Sequence, residues 1–123
     1  MIQFRCRLLA LSLAAAVSVP LVMAAARPVH MTGSQPKAEA ILHGDHAEYV
    51  VRFDGPVNHY ASRLEITQDG RVVQALRTLE DSAVDVLFAA GPVPAAGHYA
   101  LHWTAVSADG DTSSGEIPFA VRP

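Results

Sequence analysis

The segment Tyr99–Val121 constrains the fold more than any other part of the chain. Apolar and polar residues alternate at its start, and the apolar set is Tyr99, Leu101, Trp103 and Ala105. Because successive side chains of a strand point to opposite sides, this period of two predicts a strand with one face in a core. The sequence then predicts a polar turn at Ser107–Asp111 and a closing strand at Phe119–Val121.

Shorter alternations recur earlier in the chain and are separated by turn signals. They lie at 47–53, at 63–67 and at Val84, Val86 and Phe88. Asp69-Gly70 predicts a tight hairpin turn leading into a further strand at 71–76. No stretch shows a sustained helical period. The pattern therefore predicts an all-β fold, a single immunoglobulin-like antiparallel β-sandwich of about seven strands with Greek-key connections.

The amino-terminal residues have the features of an export signal. Arg5 and Arg7 precede an apolar run at Leu8–Val22, and Ala24–Ala26 offers a small-residue cleavage site. We expect residues 1–26 to be a signal peptide that is cleaved after Ala26, with delivery to a bacterial periplasm. An uncleaved membrane anchor is the alternative.

The remaining chain divides into a flexible lead-in at 27–37 and a sandwich domain at 38–123. Its one cysteine, Cys6, would leave with the signal, so the domain must be held together by its core alone. Without Arg5 and Arg7 there are seven Lys and Arg against twelve Asp and Glu, a net charge of −5, which disfavours nucleic acid as a partner. No nucleophile is tied to a base by a motif, so we expect no enzymatic activity.

The carboxyl-terminal pattern resembles that of the CopC-type copper resistance family, whose members are periplasmic copper-binding β-sandwiches. The family signature is Tyr-x-Val-x-Trp, then Ser-x-Asp-Gly-His, then Gly and Phe-x-Val. The resemblance spans about Pro36 to Val121, and here Asp111 stands where the family has the histidine after Asp-Gly. The resemblance implies that the Asp and His of this turn, with a histidine at the mature amino terminus, hold Cu(II).

Transferred to this sequence, the resemblance implies a metal site made of Asp109, His30 and Asp111. Asp109 matches the family aspartate, whereas Asp111 offers a carboxylate in place of imidazole. Cleavage after Ala26 would make His30 the fourth residue, and Pro28 has no N–H for an amino-terminal chelate. Met31 would be the only methionine left, so a methionine-rich Cu(I) site is absent and Cu(II) is the expected ion.

Other histidines offer weaker metal signals. The cluster His43-Gly-Asp-His46 reads first as a polar turn, with metal binding as the alternative. His98 and His102 share one strand face but lie too far apart to hold one ion together, so each would need a partner from a neighbouring strand, such as His59.

The sequence thus predicts a non-catalytic copper carrier or buffer, acting in copper resistance or copper handling. Its partners would be the copper ion and a membrane copper transporter or another periplasmic copper protein. The alternative is a periplasmic interaction module that keeps the sandwich, has lost the copper site and pairs with a partner through exposed strand edges.

Overall fold

The computed structural model describes residues 27–123, so the predicted signal peptide lies outside the described residues. Within this range the chain forms eight strands. They are β1 (Met31–Gln35), β2 (Ala40–Leu42), β3 (His46–Phe53), β4 (Arg63–Gln68), β5 (Arg71–Leu76), β6 (Val86–Pro92), β7 (Gly97–Val106) and β8 (Thr112–Val121). Residues 27–123 contain no helix that is long and apolar enough to cross a membrane.

The strands form two sheets that face each other. One has three strands in the order β1-β3-β6, and the other has five in the order β2-β8-β7-β4-β5. All neighbours pair antiparallel except β2, which runs parallel to β8. The predicted all-β sandwich is confirmed, with eight strands in place of about seven.

One core lies between the sheets, and the alternation of β3, β4, β7 and β8 places most of its residues there. Fifteen buried apolar residues form it, drawn from both sheets. Tyr49 meets Phe119 across the layers, with ring centroids 6.5 Å apart, and Phe53 meets Trp103 edge-on at 5.2 Å. Burial also raises the pKa of the Tyr49 hydroxyl above its ordinary value.

The alternating set at Val84, Val86 and Phe88 does not face the core. Val86 and Phe88 are only half-buried and Val84 is 68% exposed, whereas Leu87 and Ala89 are fully buried. The reason is that this strand is apolar on both sides over much of its length. A continuous apolar run carries no period of two, so it cannot indicate which side faces the core.

The hairpin between β4 and β5 is confirmed. Gln68 pairs with Arg71, and the two turn residues have positive φ angles, 52° at Asp69 and 77° at Gly70. Two such residues define a type I′ turn, whose twist matches that of the flanking strands.

The sandwich starts earlier than the predicted boundary at residue 38. Residues 31–35 of the predicted lead-in form β1, which pairs with β3 along the edge of the smaller sheet. Residues 27–30 precede it and lie at the end of the sandwich where β7 turns into β8. We call this the site end, formed by residues 27–30, the 54–62 segment and the 107–111 turn.

Candidate metal centre

The amino-terminal segment is fixed against the site end by its backbone and one apolar side chain. Val29 is 5% exposed and belongs to the core. Its carbonyl oxygen accepts a hydrogen bond of 2.8 Å from the Ser113 hydroxyl on β8. The segment is therefore held to both sheets, since β1 continues from it into the smaller one.

The 107–111 turn presents the two predicted carboxylates. The Ser107 amide donates to the Asp111 carbonyl at 2.8 Å, and the Ser107 hydroxyl accepts from the Asp111 amide at 3.1 Å. Gly110 has φ +87°, a left-handed value that favours glycine. The turn leaves Asp109 exposed at its tip and Asp111 half-buried just before β8.

Asp111 receives the backbone of the amino-terminal segment. The N–H of Arg27 donates to Oδ2 of Asp111 at 2.8 Å, although the two residues are 84 positions apart in sequence. If the chain is cleaved after Ala26, this nitrogen becomes the free α-amine. The residue that replaces the family histidine thus already contacts the predicted mature terminus.

His30 is held by Asp54, a residue that the sequence analysis treated only as the end of a strand. The His30 amide donates to Oδ1 of Asp54 at 2.7 Å, and Nδ1 of its imidazole lies 3.0 Å from Oδ2. The Asp54 amide in turn donates to the His30 carbonyl at 3.0 Å. The backbone N–H of His30, and then its imidazole, hold the pKa of the Asp54 carboxyl below its ordinary value.

Asp54 and Asp109 both line an open hollow of about 320 Å³ at the site end. The structure therefore brings Asp109 and Asp111 together on one turn and anchors His30 on the neighbouring loop through Asp54. Nothing in the sequence pattern signalled Asp54, because its contact with His30 depends on how β1 is registered against β3. As the side chains stand, no three His, Cys, Asp or Glu residues within 27–123 form a group that could hold a metal ion.

The remaining histidines lie away from this end or are bound elsewhere. His43 and His46 are exposed where β2 connects to β3, at the opposite end of β3. His102 has Glu65 and Glu116 as its cross-strand neighbours. The sequence analysis suggested His59 as a metal-binding partner for His98 or His102. Its Nε2 is instead bound to the carbonyls of Ala83 and Val86, at 3.1 and 2.8 Å.

Apart from His59, whose Nε2 is already bound, the donor atoms at the site end are carboxylate oxygens, the His30 imidazole and the Arg27 nitrogen. Nitrogen and oxygen donors of this kind suit Cu(II) better than Cu(I), which prefers sulfur. Met31 is 41% exposed on β1 and is the only methionine among the described residues. In donor type the site end fits Cu(II), and binding would require its side chains to converge further.

Comparison with solved structures shows that other β-sandwich proteins share this fold. The structure resembles CopC from Methylosinus trichosporium OB3b with a TM-score of 0.69 at 23% identity, covering 77% of this chain and 94% of that one. It also resembles PcoC, a methionine-rich copper resistance protein from Escherichia coli, with a TM-score of 0.63 at 18% identity, covering 78% and 100%. A comparison with curated proteins gives no match.

The family model of the CopC domain matches residues 31–122. The chain belongs to the CopC family.

Proposed function

We propose that this protein binds Cu(II) reversibly at the site end, as a non-catalytic periplasmic carrier or buffer in copper resistance or copper handling. Membership of the CopC family supports copper as the ion. The observation that carries the proposal is the 2.8 Å contact between the Arg27 nitrogen and Asp111. It joins the predicted mature terminus to the turn where the family resemblance implies that copper is held.

Each proposed ligand has a different part in this scheme. Asp109 and Asp111 supply carboxylate oxygens from the turn, and His30 supplies an imidazole from the neighbouring segment. Asp54 orients that imidazole through Nδ1, so that Nε2 is the nitrogen left to bind a metal. Cleavage after Ala26 would release the Arg27 amine beside Asp111 as a further nitrogen donor.

The replacement of imidazole by the Asp111 carboxylate sets the expected affinity. A carboxylate is a poorer and less selective Cu(II) ligand than imidazole. We therefore expect binding to be weaker than at a site with the full family signature, which suits a buffer that releases its ion to a membrane copper transporter or another periplasmic copper protein.

Calorimetric titration of residues 27–123 with Cu(II) tests the proposal. His30→Ala, Asp109→Asn and Asp111→Asn should each weaken binding by at least roughly tenfold, since removing even an outer-shell partner of a metal ligand usually costs about ten- to a hundredfold. Asp111→His should strengthen it by restoring imidazole. His43→Ala is the matched control, because that histidine is exposed at the opposite end of the sandwich and should leave binding unchanged.

The proposal fails if the wild-type protein takes up no Cu(II) at micromolar concentration, or if Asp111→His binds no better than wild type. The alternative function would then apply: an interaction module that keeps the family fold without its metal.

A further inference from the structure

A cluster of exposed apolar side chains lies at the site end beside the hollow. Tyr60 is 82% exposed and Val84 is 68% exposed, the two highest fractions among the large apolar residues that the structure describes. Smaller exposed apolar residues accompany them on the same two segments. We call the whole set the apical patch: Pro56, Tyr60, Ala61, Ala83 and Val84.

The two segments that carry the apical patch are joined by hydrogen bonds. The Val57 amide donates to the Val84 carbonyl at 2.8 Å. Nε2 of His59 reaches the carbonyls of Ala83 and Val86, and because carbonyl oxygens only accept, this nitrogen carries the proton. The patch is therefore preorganised, so little conformational freedom would be lost when a partner binds there.

The turn that presents Tyr60 is held in the same way. The side-chain oxygen of Asn58 accepts hydrogen bonds from the amides of Tyr60 and Ala61, at 3.0 and 3.2 Å. The Ser62 amide closes the turn by donating to the Asn58 carbonyl at 3.0 Å. Tyr60 is thus exposed on a turn whose backbone is fixed by hydrogen bonds, unlike a side chain on a flexible loop.

The apical patch adjoins the candidate metal centre. The Asn58 amide donates to the Val106 carbonyl at 2.8 Å, and the Ala108 amide donates to the Pro56 carbonyl at 3.3 Å. Pro56 itself belongs to the patch and also lines the hollow shared with Asp109. A molecule seated on the patch would therefore lie beside the hollow.

The charge around the patch indicates which kind of molecule would bind there. The segments 54–62, 80–85 and 107–111 contain no Lys or Arg. Their carboxylates are Asp54, Glu80, Asp81, Asp85, Asp109 and Asp111. Cations lie at the margins, at Arg27, Arg52 and Arg63, and Arg77 shares a hollow with Glu80 and Asp81, so carboxylates still outnumber cations here. Like charges repel across an interface, so this surround disfavours both a second copy seated patch to patch and an anionic membrane surface.

We propose that the apical patch is a docking surface for a protein partner that presents apolar side chains surrounded by Lys or Arg. Tyrosine is a common anchor residue of protein interfaces, and complementary charge around an anchor favours the right partner over others. Release of copper to this partner at the adjoining hollow rests on the proposed function. Docking itself can be measured without metal, so the two proposals can fail separately.

The test uses three labelled synthetic peptides of equal length. The Lys–Leu peptide carries both positive charge and apolar side chains, the Lys–Ser peptide lacks the apolar side chains, and the Glu–Leu peptide has the opposite charge. Binding to residues 27–123 is followed by fluorescence anisotropy in chelator-treated buffer. We expect the Lys–Leu peptide to bind and the other two to bind at least roughly tenfold more weakly. The paired change Tyr60→Ser with Val84→Ser should weaken Lys–Leu binding by a similar factor, and Asp81→Asn with Asp85→Asn should weaken it and reduce its dependence on salt.

The matched control is Val72→Ser with Val73→Ser on β5, where the two valines are 54% and 49% exposed. This variant should bind the Lys–Leu peptide as wild type does, and thermal unfolding of every variant confirms that it is folded. The proposal is overturned if the control loses as much binding as the patch variant, or if the Lys–Ser peptide binds as well as Lys–Leu. Patch-dependent dimerisation in sedimentation, or patch-dependent binding to phosphatidylglycerol vesicles, would also overturn it by assigning the surface to a different occupant.

Discussion

Asp54 contributes more to the arrangement of the site end than its place in a turn would indicate. Both of its carboxylate oxygens are engaged by His30, one by the backbone and one by the ring. It therefore fixes the direction in which the amino-terminal segment enters β1 and also the orientation of the imidazole. Removing the charge should affect both, even without metal.

The stability of the protein should depend on the ionisation of Asp54. Because the pKa of its carboxyl is lowered in the folded state from an ordinary value of 3.8, the charged form contributes stability above that value. The contribution is lost as the pH falls through the lower folded-state pKa. Asp54→Asn should accordingly unfold more easily than wild type in urea at neutral pH, and the difference should shrink at pH below about 4.

Asp45→Asn is the control for this change, since Asp45 is exposed at the opposite end and its side chain has no hydrogen bond in the described structure. A stability difference for Asp54→Asn that stays constant across the acid range would mean that the carboxyl charge is not what stabilises the segment.

At the scale of the elements, β7 and β8 pack closely because a tryptophan on one strand pairs with a glycine on the other. Trp103 lies directly opposite Gly115, and its ring covers the glycine. A Cβ added at Gly115 would lie 2.6 Å from a ring atom of the tryptophan. The indole of Trp103 also packs edge-on against Phe53 of the other sheet, so it has little room to move aside.

Gly115→Ala should therefore destabilise the protein by about 1–3 kcal/mol, the usual cost of overpacking a core. Urea unfolding followed by Trp103 fluorescence measures the change. Gly33→Ala on β1 provides the comparison, because an added Cβ there meets nothing within 4 Å. Equal stability of the two variants would show that the Trp103 ring relaxes freely.

The sequence predicted some elements well because their two faces differ in polarity. β3, β4, β7 and β8 each have one face in the core, and the Asp-Gly turn between β4 and β5 has a specific residue preference. For β6 the alternating set did not indicate the buried face, because the strand is apolar on both sides. β2 is only three residues long, and its parallel pairing with β8 is a long-range contact that no local pattern encodes.

At the scale of the whole molecule, the family resemblance identified the residues of the candidate site, and the fold showed which of them lie together. Asp109 and Asp111 are close in sequence, so a turn pattern was enough to place them together. The Arg27–Asp111 and His30–Asp54 contacts join distant parts of the chain, so they follow from strand register and could not be predicted locally. The roles of Asp109, Asp111 and His30 as ligands remain predictions.

The two sheets should unfold as one unit. A single core is shared by both, and the Tyr49–Phe119 and Phe53–Trp103 contacts cross between them. Urea transitions recorded by far-ultraviolet circular dichroism and by the fluorescence of Trp103, the only tryptophan, should therefore coincide. Two separate midpoints would mean that one sheet survives without the other.

The direction of β8 has a practical consequence for handling this protein. Its first residue, Thr112, is at the site end, and Val121 pairs with Gly97 roughly 30 Å away. An affinity tag or surface linker joined at Pro123 would leave the site end facing free solution. The same tag joined ahead of Arg27 would begin beside Asp111, so immobilised samples prepared in the two ways should differ in Cu(II) binding.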